Sequence, residues 1–179
     1  MKYIVPVVLG VLAVSAGAFA QSSEEIDKAL SAAPARLRDG ATVVKWKSDF
    51  TYDTLKKGTN NLVCYDRSGF PGQQAFSIEC TSMANLPREA QNLKFEAMGA
   101  KKQEMFDAAE KDGTRVKPEY GSVWYHLMGP DKEHARSHMT IAVPGASTQS
   151  TGLPENGKNG TVWVMGAGTT TAHLMIPGE

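Results

Sequence analysis

"LPREAQNLKFEAMGAKKQEMFDAAEKD", residues 86–112, is the stretch on which the fold turns. Leu86, Ala90, Leu93 and Ala97 recur at helical spacing and form one apolar stripe. Pro87 suits a first turn, and Asn85 is placed to cap it. Gly99 is the weak point, because Met98, Met105, Phe106 and Ala109 continue on a shifted stripe. Asp112-Gly113 ends the run. Read as one element, the stretch predicts a main helix over 86–111 whose apolar side needs a sheet to cover.

Working outward, the flanks supply that sheet. "ATVVKWKSDF" (41–50) reads as a first strand, and Gly58-Thr59-Asn60-Asn61 as the turn before "LVCYD" (62–66) and "QAFSIEC" (74–80). After the helix come "SVWYHLM" (122–128), "HMTIAVP" (138–144), "TVWVM" (161–165) and "AHLMIP" (172–177). Residues 21–39 read as a broken helix, with Ser22 and Glu25 as a capping box and Ile26, Leu30 and Ala33 at helical spacing. The glycine- and serine-rich run 144–160 reads as a surface loop. The expected fold class is α+β, an antiparallel sheet packed against one long helix in a single domain.

"MKYIVPVVLGVLAVSAGAFA" stands apart from this pattern. One early cation, Lys2, precedes an apolar run that ends in Ala18-Phe19-Ala20, the small residues a signal peptidase requires. Residues 1–20 are therefore expected to be a signal peptide, and 21–179 the single α+β domain, periplasmic or extracellular. No later segment has the length of a membrane span. Cys64 and Cys80, an even pair flanking the turn-rich "DRSGFPGQQ", read as a disulfide worth about 3 kcal/mol by loop closure. The 19 Lys and Arg against 19 Asp and Glu offer no cationic excess, which excludes a nucleic-acid partner and leaves a small molecule or a protein.

Strand alternation then places chemistry. In 122–128, Trp124, His126 and Met128 share one side, and Trp163, Met165, His173 and Met175 share one side of the final hairpin. His138 joins them if the registers agree. Imidazole and thioether donors suit copper, so His126, Met128, His138, His173 and Met175 are the candidate metal ligands. The competing reading is a second packed layer against the helix, with His173 near its edge and no cofactor. His134 and His138 stand four apart in "EHARSH", but no HExxH motif is formed, and Gly129-Pro130 makes a solvated loop the better reading. No GxSxG elbow, phosphate loop or dinucleotide fingerprint is present, so catalytic residues are unassigned.

Several stretches resemble a family of secreted bacterial proteins of unknown function. They are "SAAPARLRDGATVVKW" (31–46), "GTNNLVC" (58–64) with a second Cys after a proline-containing loop, "RSHMTIAVP" (136–144) and "WVMGAGTTTAHLMIP" (163–177). The resemblance implies a paired-Cys N-terminal half and an "AHLM"-type C-terminal hairpin, and it picks out Cys64, Cys80, His138, His173, Met175 and Pro177. His126 and the short loop before His138 depart from the family pattern. The resemblance implies export and no activity. Three function classes follow: a non-catalytic binding or structural module, favoured here; a periplasmic copper-binding protein using His and Met; and a hydrolase-like enzyme using His138 or His173.

Overall fold

The computed structural model describes residues 23–178, so residues 1–20 and Ser22 of the capping box lie outside it. Its strands are β1 (Thr42–Trp46), β2 (Tyr52–Lys56), β3 (Leu62–Asp66), β4 (Phe76–Ser82), β5 (Val123–Gly129), β6 (Arg136–Ala142), β7 (Trp163–Met165) and β8 (His173–Ile176). They form one sheet in the order β2-β1-β3-β4-β5-β6-β8-β7. The described helices are α1 (23–29), α2 (Ala35–Arg38), α3 (Leu86–Glu96), α4 (Lys102–Asp112) and α5 (Thr148–Thr151). None of them is long and apolar enough to cross a membrane.

The sheet is mixed, which corrects the antiparallel expectation. β1 pairs antiparallel with β2 on its outer side and parallel with β3 on its inner side. The overlooked element is β2. Its sequence YDTLK is largely exposed, with no alternating buried side to mark it as a strand. After β2 the chain turns back over Gly40, whose carbonyl accepts from the N–H groups of Thr59 and Asn60 at 2.8 and 3.0 Å. A Cβ on Gly58 would stand 2.3 Å from that same carbonyl oxygen, so only glycine fits this crossing.

The expected long helix is broken, a second correction. α3 ends at Glu96, Gly99 turns left-handed at φ 59°, and a 3-10 turn at Gly99–Lys101 leads into α4. Glycine carries no Cβ penalty in that conformation, so the chain bends there instead of continuing. Met98, counted on the shifted stripe, is 49% exposed as a result. α4 returns to α3 through an edge-on contact of Phe95 and Phe106, with ring centroids 5.3 Å apart. Asn85 does not cap α3 with its side chain. Instead its amide donates to Thr81 and Ser122 at 2.9 Å each and accepts from the N–H of Glu119 at 2.8 Å.

The two sheet faces bury different layers. On one, Val43, Leu62, Cys64 and Cys80 pack under Ala29, Leu30 and Ala33 of the N-terminal helical segment. Cys64 and Cys80 are direct partners in the β3–β4 register and are joined by a disulfide. On the other, Val44, Trp46, Val63 and Tyr65 pack under Leu86 and Leu93 of the 86–96 helix. That second core stops at β3. Beyond it the same face carries Glu79 on β4, and its chemistry changes.

Candidate functional site

Cross-strand register brings the site together. Tyr65 pairs with Glu79, Glu79 with His126, and His126 with His138, one residue from each of β3 to β6. Trp124 pairs with Thr140, Thr140 with Met175, and Ala142 with His173. This face forms the floor of a cleft of about 580 Å³. α3, α4 and the β7–β8 turn around Thr169 and Thr171 supply its walls, and they meet where Arg88 bonds Thr171.

At one end, a single guanidinium holds three carboxyls. Arg67 donates to Glu79 Oε1 at 2.8 Å and to Glu96 Oε2. Its Nε lies 3.0 Å from Glu89 Oε1, close enough for an ion pair, yet off the N–H direction, so neither atom has a hydrogen-bond partner. The Tyr65 hydroxyl completes the shell on Glu79, and Gln73 and Asn92 donate to Glu96 and Glu89. Burial raises Glu79, but Arg67 and then His126 outweigh it and hold that carboxyl down to about 2. Burial also pushes Glu89 up, to about 8; Arg67 offsets it in part, while Glu79 and Glu96 add to it. Two neighbouring carboxyls thus hold opposite protonation states at neutral pH.

From Glu79 a chain of contacts crosses the floor. His126 Nδ1 donates to Glu79 Oε1 at 3.2 Å, because the ionised carboxylate can only accept. Its Nε2 then accepts from the Thr140 hydroxyl at 3.3 Å. His138 stacks on the His126 ring, and burial, joined by repulsion from His126, lowers it to about 4. His173 donates through Nδ1 to the Thr171 carbonyl at 2.8 Å, leaving Nε2 as an acceptor, and burial lowers its pKa as well.

The opposite end is cationic. Arg88 donates to the Val116 carbonyl and to Thr171 Oγ1, and Arg115 to Gln91 and Asn92. Arg115 also lies 4.8 Å above the Phe106 ring. Burial lowers both to about 10, and Arg115 adds repulsion on Arg88. Glu110 is nearby, but its oxygens are taken by the Thr170 N–H and hydroxyl at 2.6 Å each.

All five residues weighed as copper ligands, His126, Met128, His138, His173 and Met175, line this one cleft. Both His126 nitrogens are nevertheless engaged, and the stacked His138 ring does not converge with it on a common point. Among the described residues no group of three or more His, Cys, Asp or Glu is placed to hold a metal ion. Trp163 and Met165 share the face but stand at the sheet edge, outside the cleft; Met165 is 49% exposed. His134 is exposed and bonds Asp131 in a loop, away from the site. The face is not the closed second layer expected against the helix, because the bend at Gly99 leaves a cleft there.

Arg67, Glu79, Arg88, Glu89, Arg115 and Thr140 carry most of the polar chemistry and have no motif in the sequence. One signal existed: Glu79 interrupts the otherwise apolar or small "AFSIEC", at the position where strand alternation turns it inward. No family model, no curated protein and no solved structure matches the chain. The resemblance to a secreted family is therefore withdrawn, and its paired-Cys motif with it. The two cysteines form one bond between central strands of the sheet, not a motif of the N-terminal segment.

Proposed function

We propose that this chain is an exported binding protein that holds a small organic molecule in the cleft over β4, β5, β6 and β8, without chemistry of its own. The observation that carries the reading is the cleft itself. At about 580 Å³ it falls within the range of small-molecule sites, and Phe106, Trp124, Met128 and Met175 give it apolar walls around a few fixed polar groups. The signal-peptide pattern of the 1–20 sequence and the Cys64–Cys80 bond support the periplasm or the extracellular space. Equilibrium dialysis against a small-molecule extract, read by mass spectrometry, tests the binding. Thr171→Trp plugs the mouth from an exposed position. Compounds enriched by the wild type and not by the plugged variant support the reading; no enrichment by either overturns it.

The Glu79–His126–Thr140 chain favours a second reading, acyl transfer. A hydroxyl bonded to an imidazole that a buried carboxylate orients is the arrangement of an activated nucleophile. It centres on His126, not on the His138 or His173 that the sequence offered. Incubation with 4-nitrophenyl acetate should then give a 4-nitrophenol burst and an acetyl group on Thr140, both absent in Thr140→Val. An unmodified protein removes this reading.

A further inference from the structure

The cleft has two ends of opposite charge, and the spacing between them is set by one helix. Arg88, Glu89, Asn92 and Glu96 of α3 all line it. At about 1.5 Å rise per residue, Arg88 and Glu96 stand about 12 Å apart along the axis. The Glu96 end holds one guanidinium against three carboxyls, of which Glu89 alone is kept neutral by its surroundings. That end carries excess negative charge. The Arg88 end holds two guanidiniums, and among the described residues neither forms an ion pair with a carboxylate. Arg115, only 5% exposed, also keeps its Nε–H without a partner. Glu110 offsets the two guanidiniums only through space, because its own oxygens are held by Thr170, so the pair still favours an anion brought beside it in the cleft.

Resting on the binding reading above, we infer that the cleft takes a short peptide with free termini, its carboxylate at Arg88 and Arg115 and its ammonium at Glu96 and Glu79. The length follows from the span. A single amino acid separates its two charges too little, whereas about three extended residues, at roughly 3.3–3.6 Å each, cover about 10 Å. Carboxylate and guanidinium match as a planar pair, which gives the cationic end its specificity. Between the ends, His138 and His173 are neutral at pH 7, and Trp124 and Met175 offer an apolar bed for the middle side chain. The arriving ammonium also stabilises the ionised form of Glu89, which faces Arg67, Glu79, Glu96 and Asn92 and, further off, Tyr65, Arg88 and Arg115. Binding near pH 7 therefore releases a proton.

Isothermal titration with Ala-Ala-Ala and Ala-Phe-Ala, each with free termini, acetylated, amidated and doubly blocked, tests the inference. The free peptides should bind, either single block should weaken binding tenfold or more, and the doubly blocked forms should not bind. Glu96→Gln, at a partly exposed site, should erase the preference for a free amine, and Arg115→Gln the preference for a free carboxylate. Repeating the titration at pH 7 in buffers of different ionisation enthalpy should show proton release that Glu89→Gln abolishes. Equal binding of free and blocked peptides overturns the assignment. So does no peptide binding while dialysis still enriches other compounds, an outcome that leaves the cleft as a binding site. If dialysis also enriches nothing, the binding reading falls with it.

Discussion

His126 and His138 stack across a directly paired position of β5 and β6, with ring centroids 4.4 Å apart and planes 8° from parallel. The stack is tolerated because His138 stays neutral, and burial and the neighbouring His126 both work against its protonation. In an NMR titration the His138 ring signals should move with a midpoint near pH 4. The unfolded chain takes up this proton near pH 6.5, so between about 6.5 and 4 it binds more protons than the native state. Native stability should accordingly fall as pH drops through that window and level off below it. The side chain is only half-buried, so solvent screening limits the loss to about 1 kcal/mol. His138→Phe keeps a stacked ring and should flatten the profile; a His138 midpoint above 6 would contradict the assignment.

Glu89 runs the other way. Its folded pKa is raised above the unfolded value, so its contribution is complete below about pH 4.5 and is lost as pH rises toward 8. One pKa unit corresponds to about 1.4 kcal/mol, so the loss across the window should reach a few kcal/mol. Glu89→Gln, the shape of the protonated carboxyl, should match the wild type at pH 5 and exceed it at pH 8 in urea unfolding. Arg67→Ala removes the shared partner of Glu79, Glu89 and Glu96 and should cost about 3–5 kcal/mol. A Glu89→Gln profile parallel to that of the wild type would show that Glu89 is ionised in the fold.

Cys64 and Cys80 are fully buried, so reductant should reach their bond only when the sheet opens. Alkylation followed by intact-mass analysis should find no free thiols in native protein treated briefly with reductant, and two once denaturant is added. Replacing both by Ala should cost about 3 kcal/mol, the loop-closure contribution of a bridge of this size. Two thiols appearing quickly under native conditions would show that this part of the sheet opens readily.

Asn85→Ala should be as costly as a core truncation, although it removes no apolar group. The change leaves the Glu119 N–H without its acceptor and the Thr81 and Ser122 hydroxyls without their shared donor. Unsatisfied buried groups cost about 1–3 kcal/mol each, and Ser122 keeps its bond to the Glu119 carbonyl, so a loss at the low end, about 3 kcal/mol, is expected from thermal unfolding. An Asn85→Ala variant within 0.5 kcal/mol of the wild type, the usual size of a surface change, would mean that water replaces the amide.

Much of the sheet was legible because its strands alternate. The split of Trp124, His126 and Met128 from Val123, Tyr125 and Leu127 was readable in advance, whereas the gathering of His138 with His173 and Met175 depended on a register that alternation alone does not set. What could not be read depends on pairing at a distance. The parallel β1–β3 contact follows from β2, a polar edge strand with no apolar period, and the split helix from one backbone angle at Gly99. The charged part of the site was hidden for a related reason. Arg88 and Glu89 sit beside the apolar stripe of α3, where a helix ordinarily carries its solvated charges. Only the inward Glu79 and the loop-borne Arg67 make that side an interior.

β8 lies between β6 and β7, although β7 comes before it in the chain. β7 therefore has no strand to pair with until residues 173–176 have joined the sheet. Those four residues join β7 to the sheet and bring His173 and Met175 to the cleft floor. A chain truncated before them would lack both an edge of the sheet and part of the cleft floor. The cleft floor is therefore complete only once β8 has docked between β6 and β7.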